Sequence, residues 1–192
     1  MRKQEKAQVI VIAGILLMVL LLILAVLLDG SRLMIEKQTL ERAADSSGKA
    51  GLIPVADRMV TQVVAAQTAA ANRIGTPTGP TWTPGPTATG TPDQSDFYGW
   101  LDDHHRMTLV APPMRTVVAG QALAYADQNG AGLSNPDILQ VEVNYPYQYH
   151  ASDRVIKIHL LIRRKVRIVF GSLLGIDEGE ISGETKQSLP QR

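Results

Sequence analysis

Two carboxylates and two imidazoles stand together at Asp102-Asp103-His104-His105, the run in this 192-residue chain whose donors best suit Zn²⁺ or Ni²⁺. Adjacent residues project in different directions from a helix or strand, and no spaced partner of the H-x-x-x-H kind accompanies them. The run is therefore read as a solvated turn, and no metal is expected. Arg163, Arg164, Lys165 and Arg167 form a second chemical feature, a candidate basic contact patch for anionic headgroups or an acidic partner; the plainer reading is the polar face of a strand end. Tyr145-Pro146-Tyr147-x-Tyr149-His150 reads equally as an aromatic contact surface and as the edge of a core. His159 alternates with apolar residues and is read as an outward strand position. No nucleophile motif, phosphate-binding glycine loop or acid pair is recognisable, so a non-enzymatic protein with no cofactor and no small-molecule substrate is expected. A net charge of +1 gives no electrostatic case for nucleic acid, and the lack of cysteine excludes disulfides and thiol chemistry.

The elements that must position these groups begin with Ala7–Leu28, a stretch without a charged side chain. As a helix it is about 33 Å long, against a hydrocarbon core of roughly 30 Å. It exceeds the apolar region of a signal peptide and runs into Asp29-Gly30-Ser31-Arg32 with no A-x-A cleavage pattern. A core helix would not need to be charge-free on every face. The reading is a retained single-pass anchor in the lipid bilayer. The tail of residues 1–6 carries Arg2, Lys3 and Lys6 against Glu5, while Arg32, Lys37 and Arg42 lie on the other side, so positive charge alone nearly ties. A Thr/Pro/Gly tract further on is typical of exported stalks, which favours a cytoplasmic N-terminus.

Residues 29–75 are predicted helical. Leu33, Leu40, Ala44, Ser47 and Gly51 share one face that narrows from leucine to small residues, a candidate helix-packing face. Gly51 and Pro54 predict a break or kink near residues 51–54. Beyond it Ala56, Met59, Val60, Val63, Gln67, Ala70 and Ile74 form a second stripe, with Gln62 among the polar positions, and Gly75 and Pro77 end the helix. Residues 76–94 read as a linker with almost nothing apolar to bury. Residues 95–192 read as a small domain. Val117, Val118, Ala122, Leu123 and Ala126 mark a helix over 113–130 that stops at Asn129-Gly130. Strands follow over 138–145 (Leu139, Val141, Val143 and Tyr145 on one face), over 155–162 (Ile156, Ile158, Leu160 and Ile162 inward), and over 180–189, the last weakened by Gly183. Residues 166–175 are read as leaving the strand for an apolar turn of helix. The fold class is α+β: a single-pass helix extended by a juxtamembrane helix, then a small domain with an antiparallel sheet.

The order of these features resembles the TadE/TadG-like proteins of Flp (tight-adherence, type IVc) pilus assembly. The residues that carry the resemblance are the basic tail, Ala7-Gln8-Val9-Ile10-Val11, Asp29-Gly30-x-Arg32-Leu33 and Gln38-x-Leu40-x-x-Ala43-Ala44-Asp45. Distally, Ala126-x-x-Asn129-Gly130, Val141-x-Val143 and Val166-x-Ile168-x-Phe170 leading to Leu173-Leu174-Gly175 agree with it. The resemblance implies a pilin-like or minor pseudopilin component in a prokaryotic inner membrane, with other pilus or assembly subunits as partners. Pilins of that system are cut after a glycine that precedes the span. Here no glycine does, and Glu5 lies outside the span, so the N-terminus is expected to be retained. A membrane-tethered surface binding module on a Thr/Pro stalk is the alternative.

Overall fold

A computed structural model describes residues 2–74 (side chains 10–69), 101, 103–150, 153, 155–171 and 175–189. The expected linker over 76–94, the domain start at 95 and Leu173-Leu174 lie outside the described residues. Among the described residues, three helices and three strands follow in order: α1 (Arg2–Ile74), α2 (Asp103–Leu109), α3 (Pro112–Gln128), β1 (Ile138–Asn144), β2 (Lys157–Arg167) and β3 (Glu178–Ser188).

α1 has 73 residues, about 110 Å at the α-helical rise. Its N-terminal half is long and apolar enough to cross a membrane. From Ile10 to Leu28 the large apolar side chains are exposed on every side of the helix, and only Ala25 is covered. Its C-terminal half forms one wall of the domain core. Of the break or kink expected at 51–54, the break does not occur, because the helix passes through Pro54 without ending. The buried face therefore stays in phase: Leu40, Ala44, Ser47 and Gly51 continue into Val55, Met59, Gln62 and Val63. This corrects the second stripe. Val60 and Gln67 face outward, whereas Gln62, expected among the polar positions, is buried and donates from Nε2 to Thr108 Oγ1 at 2.8 Å. Ala70 and Ile74 lie beyond the described side chains.

α3 starts on Pro112-Pro113, whose missing N–H groups cost nothing in a first turn. It ends in a Schellman arrangement: Gly130 adopts φ +68°, its N–H donates to Asp127 O, and Ala131 N–H donates to Ala126 O at 2.8 Å. Val118, Ala122 and Ala126 are its buried residues; Val117 and Leu123, expected in the same stripe, are exposed.

The sheet is an antiparallel meander in the order β1-β2-β3. β2 is its hydrophobic centre, with Ile158, Leu160 and Ile162 in the core formed with α1 and α3, and Val166 buried further along. β2 continues to Arg167, so the expected departure from the strand at Val166 is corrected. A turn at Val169-Phe170 follows instead. In β1 the expected inward face is also corrected. Ile138 opposes Arg164 and Gln140 opposes Arg163, so one extra residue is accommodated between them. That bulge puts Ile138 inward and leaves Leu139 outward, 52% exposed, before Val141, Val143 and Tyr145 resume the alternation. β3 brings almost no apolar surface, and packs by closeness rather than bulk. A Cβ built on Gly183 would lie 2.9 Å from the carbonyl carbon and oxygen of Leu40.

Candidate functional site

The small-residue face of α1 is occupied within the chain itself. A Cβ on Gly51 would meet Ile158 Cδ1 at 3.0 Å and Ala122 Cβ at 3.1 Å, and one on Gly48 would meet Thr185 Cγ2 at 3.0 Å. Leu40, Ala44 and Ser47 are buried in this seam, the Ser47 hydroxyl donating to Ala43 O at 2.7 Å. Leu33, nearer the apolar half, is partly covered. Polar groups flank the seam: Asp45 accepts from Thr185 Oγ1 and Gln187 Nε2, and Asn129 Nδ2 donates to Ser46 Oγ. The face therefore packs a helix, as its composition predicts, but the helix is α3 of the same chain, with β2 and β3 beside it. A partner helix has no access to it.

The basic run is largely neutralised in place. Alternation along β2 turns Arg164 toward α1, where its guanidinium meets Glu36 at 3.0 Å and Asp137 at 3.9 Å, while Val166 is buried on the same side. Arg163 pairs with Glu180 at 3.4 Å and Lys165 with Glu178 at 2.6 Å across the sheet. Such cross-strand pairs contribute a few tenths to about 1 kcal/mol each. Among the described residues, Arg167 and Arg32 have no carboxylate partner. Both line a polar cavity of about 400 Å³ beside Glu36, Asp137 and Glu178.

On the outer face of the sheet, His159 Nε2 lies 3.1 Å from Glu184 Oε1, and its ring lies 4.8 Å from that of Tyr147. Lys186 approaches the same carboxylate oxygen at 3.1 Å and stands 5.8 Å from the Tyr147 ring centroid. The hydrogen bonds from Lys186 and His159 hold the Glu184 carboxyl below the usual carboxylate range, and the same contact with Glu184 raises Lys186. His159 thus does stand on the face opposite the core, as its place in the alternation predicts.

The carboxylate–imidazole run does not converge. Asp103, His104 and His105 belong to α2 rather than to the expected turn, and Asp103 instead meets Arg106 at 3.7 Å. Asp102 lies outside the described residues. No group of three His, Asp or Glu among the described residues is arranged to hold a metal. The tyrosines divide: Tyr145 is buried and its hydroxyl donates to Leu109 O at 2.8 Å, Tyr149 packs against the core, and Tyr147 stands on the outer face beside His159.

One arrangement has no counterpart in the sequence reading. Asp29 ends the charge-free stretch, and its carboxylate accepts three backbone N–H groups from the β2–β3 connection: Val169 at 3.1 Å, Phe170 at 2.8 Å and Gly171 at 2.9 Å. The same connection closes on itself through Ile168 N–H to Asp177 O and Ile176 N–H to Gly171 O. Its Ile168, Phe170 and Ile176, with Leu22, Ala25, Val26 and Leu33 of α1, line an open apolar groove of about 240 Å³. This contact explains why Ala25 is only 9% exposed while its apolar neighbours are open. An aspartate after an apolar run signals only a helix segment leaving an apolar environment; its acceptance of amides some 140 residues away is purely tertiary.

Comparison of the chain with protein-family models, with curated proteins and with solved structures finds no match.

Proposed function

We propose that the chain is a non-enzymatic single-pass membrane protein, a TadE/TadG-like component of a Flp-type pilus or of its assembly platform. In this reading the N-terminus is cytoplasmic and the domain lies outside a prokaryotic inner membrane. The observation that carries the reading is the continuity of α1. One helix begins as an apolar segment exposed on all sides and ends as the central wall of a small α+β domain. That layout suits a subunit held in lipid until its span is handed to neighbouring spans, because only lipid or other helices satisfy such a surface.

The buried seam moves the partner surface away from Ala44 and Ser47 and onto the apolar half. There Gly14 has open space around its Cα, where a neighbouring helix can approach closely. The exposed Met34, Ile35, Val60 and Val64 extend that surface along α1.

Photo-crosslinking residues placed at Leu17 and Leu21 of the full chain, in native membranes, test the reading. Adducts with other single-span pilus or platform proteins are expected. Adducts with lipid alone would refute the assembly role and leave the anchor as a tether for a surface binding module. N-terminal sequencing of the membrane-extracted protein is expected to find residues 1–6 retained.

A further inference from the structure

The β2–β3 connection places apolar side chains where a soluble domain has no use for them. Phe170 is 37% exposed and Ile176 52%, and both lie beside the apolar half of α1 rather than beside the domain core; Val169, 53% exposed, adjoins them and reaches α1 through its N–H to Asp29. Measured along the helix, the contact residues Ala25 and Leu22 stand about 6 and 10 Å on the apolar side of Asp29. We infer that the described parts of this connection, 168–171 and 175–177, form a wedge that enters a phospholipid bilayer, with Phe170 and Ile176 at the boundary between headgroups and acyl chains. The inference rests on the reading of Ala7–Leu28 as a membrane anchor.

Three observations point to lipid as the occupant. The first is continuity, since the wedge lies against residues of the anchor itself. The second is hydrogen bonding. Irregular backbone is tolerated at membrane depth only where protein groups satisfy its polar atoms. The amides of Val169, Phe170 and Gly171 are held by Asp29, and those of Ile168 and Ile176 by carbonyls of the connection. The third is charge. Arg32 and Arg167 line a cavity just on the domain side of the wedge; its carboxylates Glu36, Asp137 and Glu178 pair with Arg164 and Lys165, which leaves these two guanidiniums without a carboxylate partner among the described residues. Two cations above an apolar contact match the phosphate layer over the acyl region. Asp29 therefore acts as a clamp, fixing the wedge to the anchor at one depth.

The chain lacks cysteine, so single-cysteine spin labelling of the full chain is clean. Labels at Leu20→Cys, Phe170→Cys, Ile176→Cys and Ser182→Cys would be compared in phosphatidylcholine–phosphatidylglycerol vesicles by their accessibility to oxygen and to a water-soluble nickel chelate. The Phe170 and Ile176 labels should show the oxygen-rich, nickel-poor signature of the Leu20 label, and the Ser182 label the reverse. Adding Asp29→Ala should lower the oxygen-to-nickel ratio at Phe170 several-fold and leave Leu20 unchanged. A water-like signature at Phe170 and Ile176 with a lipid-like one at Leu20 would overturn the wedge while sparing the anchor. A water-like Leu20 would overturn both. Protection of Phe170 from both reagents would also overturn the wedge, since it marks a protein contact.

Discussion

Replacing Gly183 with alanine tests whether α1 and β3 are held by backbone-to-backbone proximity. The new methyl would lie 2.9 Å from the carbonyl carbon and oxygen of Leu40 and 3.0 Å from Glu41 N, where ordinary contact begins at 3.4 Å. The obstacle is helix backbone, which no rotamer change can move aside. The strand must therefore retreat from the helix by about half an ångström, in the same seam where Gly48 and Gly51 leave no slack. Overpacking of this kind costs about 1–3 kcal/mol. Removing glycine from a strand interior returns about 0.5–1 kcal/mol through backbone entropy. The expected net loss is about 1 kcal/mol, within a range of about 0–2.5, and a fall in Tm of roughly 2–8 °C. The assay is thermal unfolding of the full chain in detergent, followed by circular dichroism. Gly179→Ala, on the same strand and face, is the control. Its Cβ would meet only Ile168 side-chain atoms, the nearest at 3.3 Å, so it should be neutral or slightly stabilising. Equal stability of the two variants would refute the close-approach account.

Gly120→Ala, on an exposed position of α3 with open space around the added carbon, should stabilise the domain by up to about 1 kcal/mol in the same unfolding assay. Tyr145→Phe removes the hydrogen bond to Leu109 O, which ties the end of β1 to α2, and should cost about 0.5–1.5 kcal/mol by urea denaturation. Because the Glu184 carboxyl is depressed, its contacts with Lys186 and His159 stabilise the fold above the ordinary carboxylate range, and that contribution is lost as pH falls through the depressed value. Glu184→Gln should accordingly flatten the acid limb of the urea midpoint plotted against pH; an unaltered limb would remove this cluster from the acid response.

How much was legible follows from where each signal is stored. The alternation Ile156, Ile158, Leu160, Ile162 is a local record of burial, and β2 obeys it. Asn129-Gly130 records a helix end just as locally, in the need for a positive φ at Gly130. Pro54 reads as a break or kink because proline lacks an amide hydrogen, yet α1 continues, since packing of Gly51, Val55 and Met59 on one face outweighs one missing bond. Leu139 misleads because a bulge is a property of two strands, not of one. The small face from Leu40 to Gly51 correctly announces close approach, but composition does not say whether the approaching surface belongs to another chain. β3 was hard to read for a related reason: Gly183 looks like a weakness in a strand until Leu40 stands behind it. The clamp of Asp29 leaves no local trace, since its three donors are backbone amides, which every sequence possesses.

The unbroken course of α1 through the domain core also has a mechanical side. A bead on a flexible thread is indifferent to how its thread leans, whereas this domain is bolted to a stiff rod. From Asp29 to the Gly51 seam the rod is about 33 Å long. Leaning it by about 20°, an ordinary inclination for a helix in a bilayer, swings the seam sideways by about 11 Å. In the membrane setting proposed above, any neighbour that grips the apolar half, or any change in bilayer thickness that alters its lean, is thereby converted into displacement of the whole domain, with the rod as lever and the bilayer surface as fulcrum.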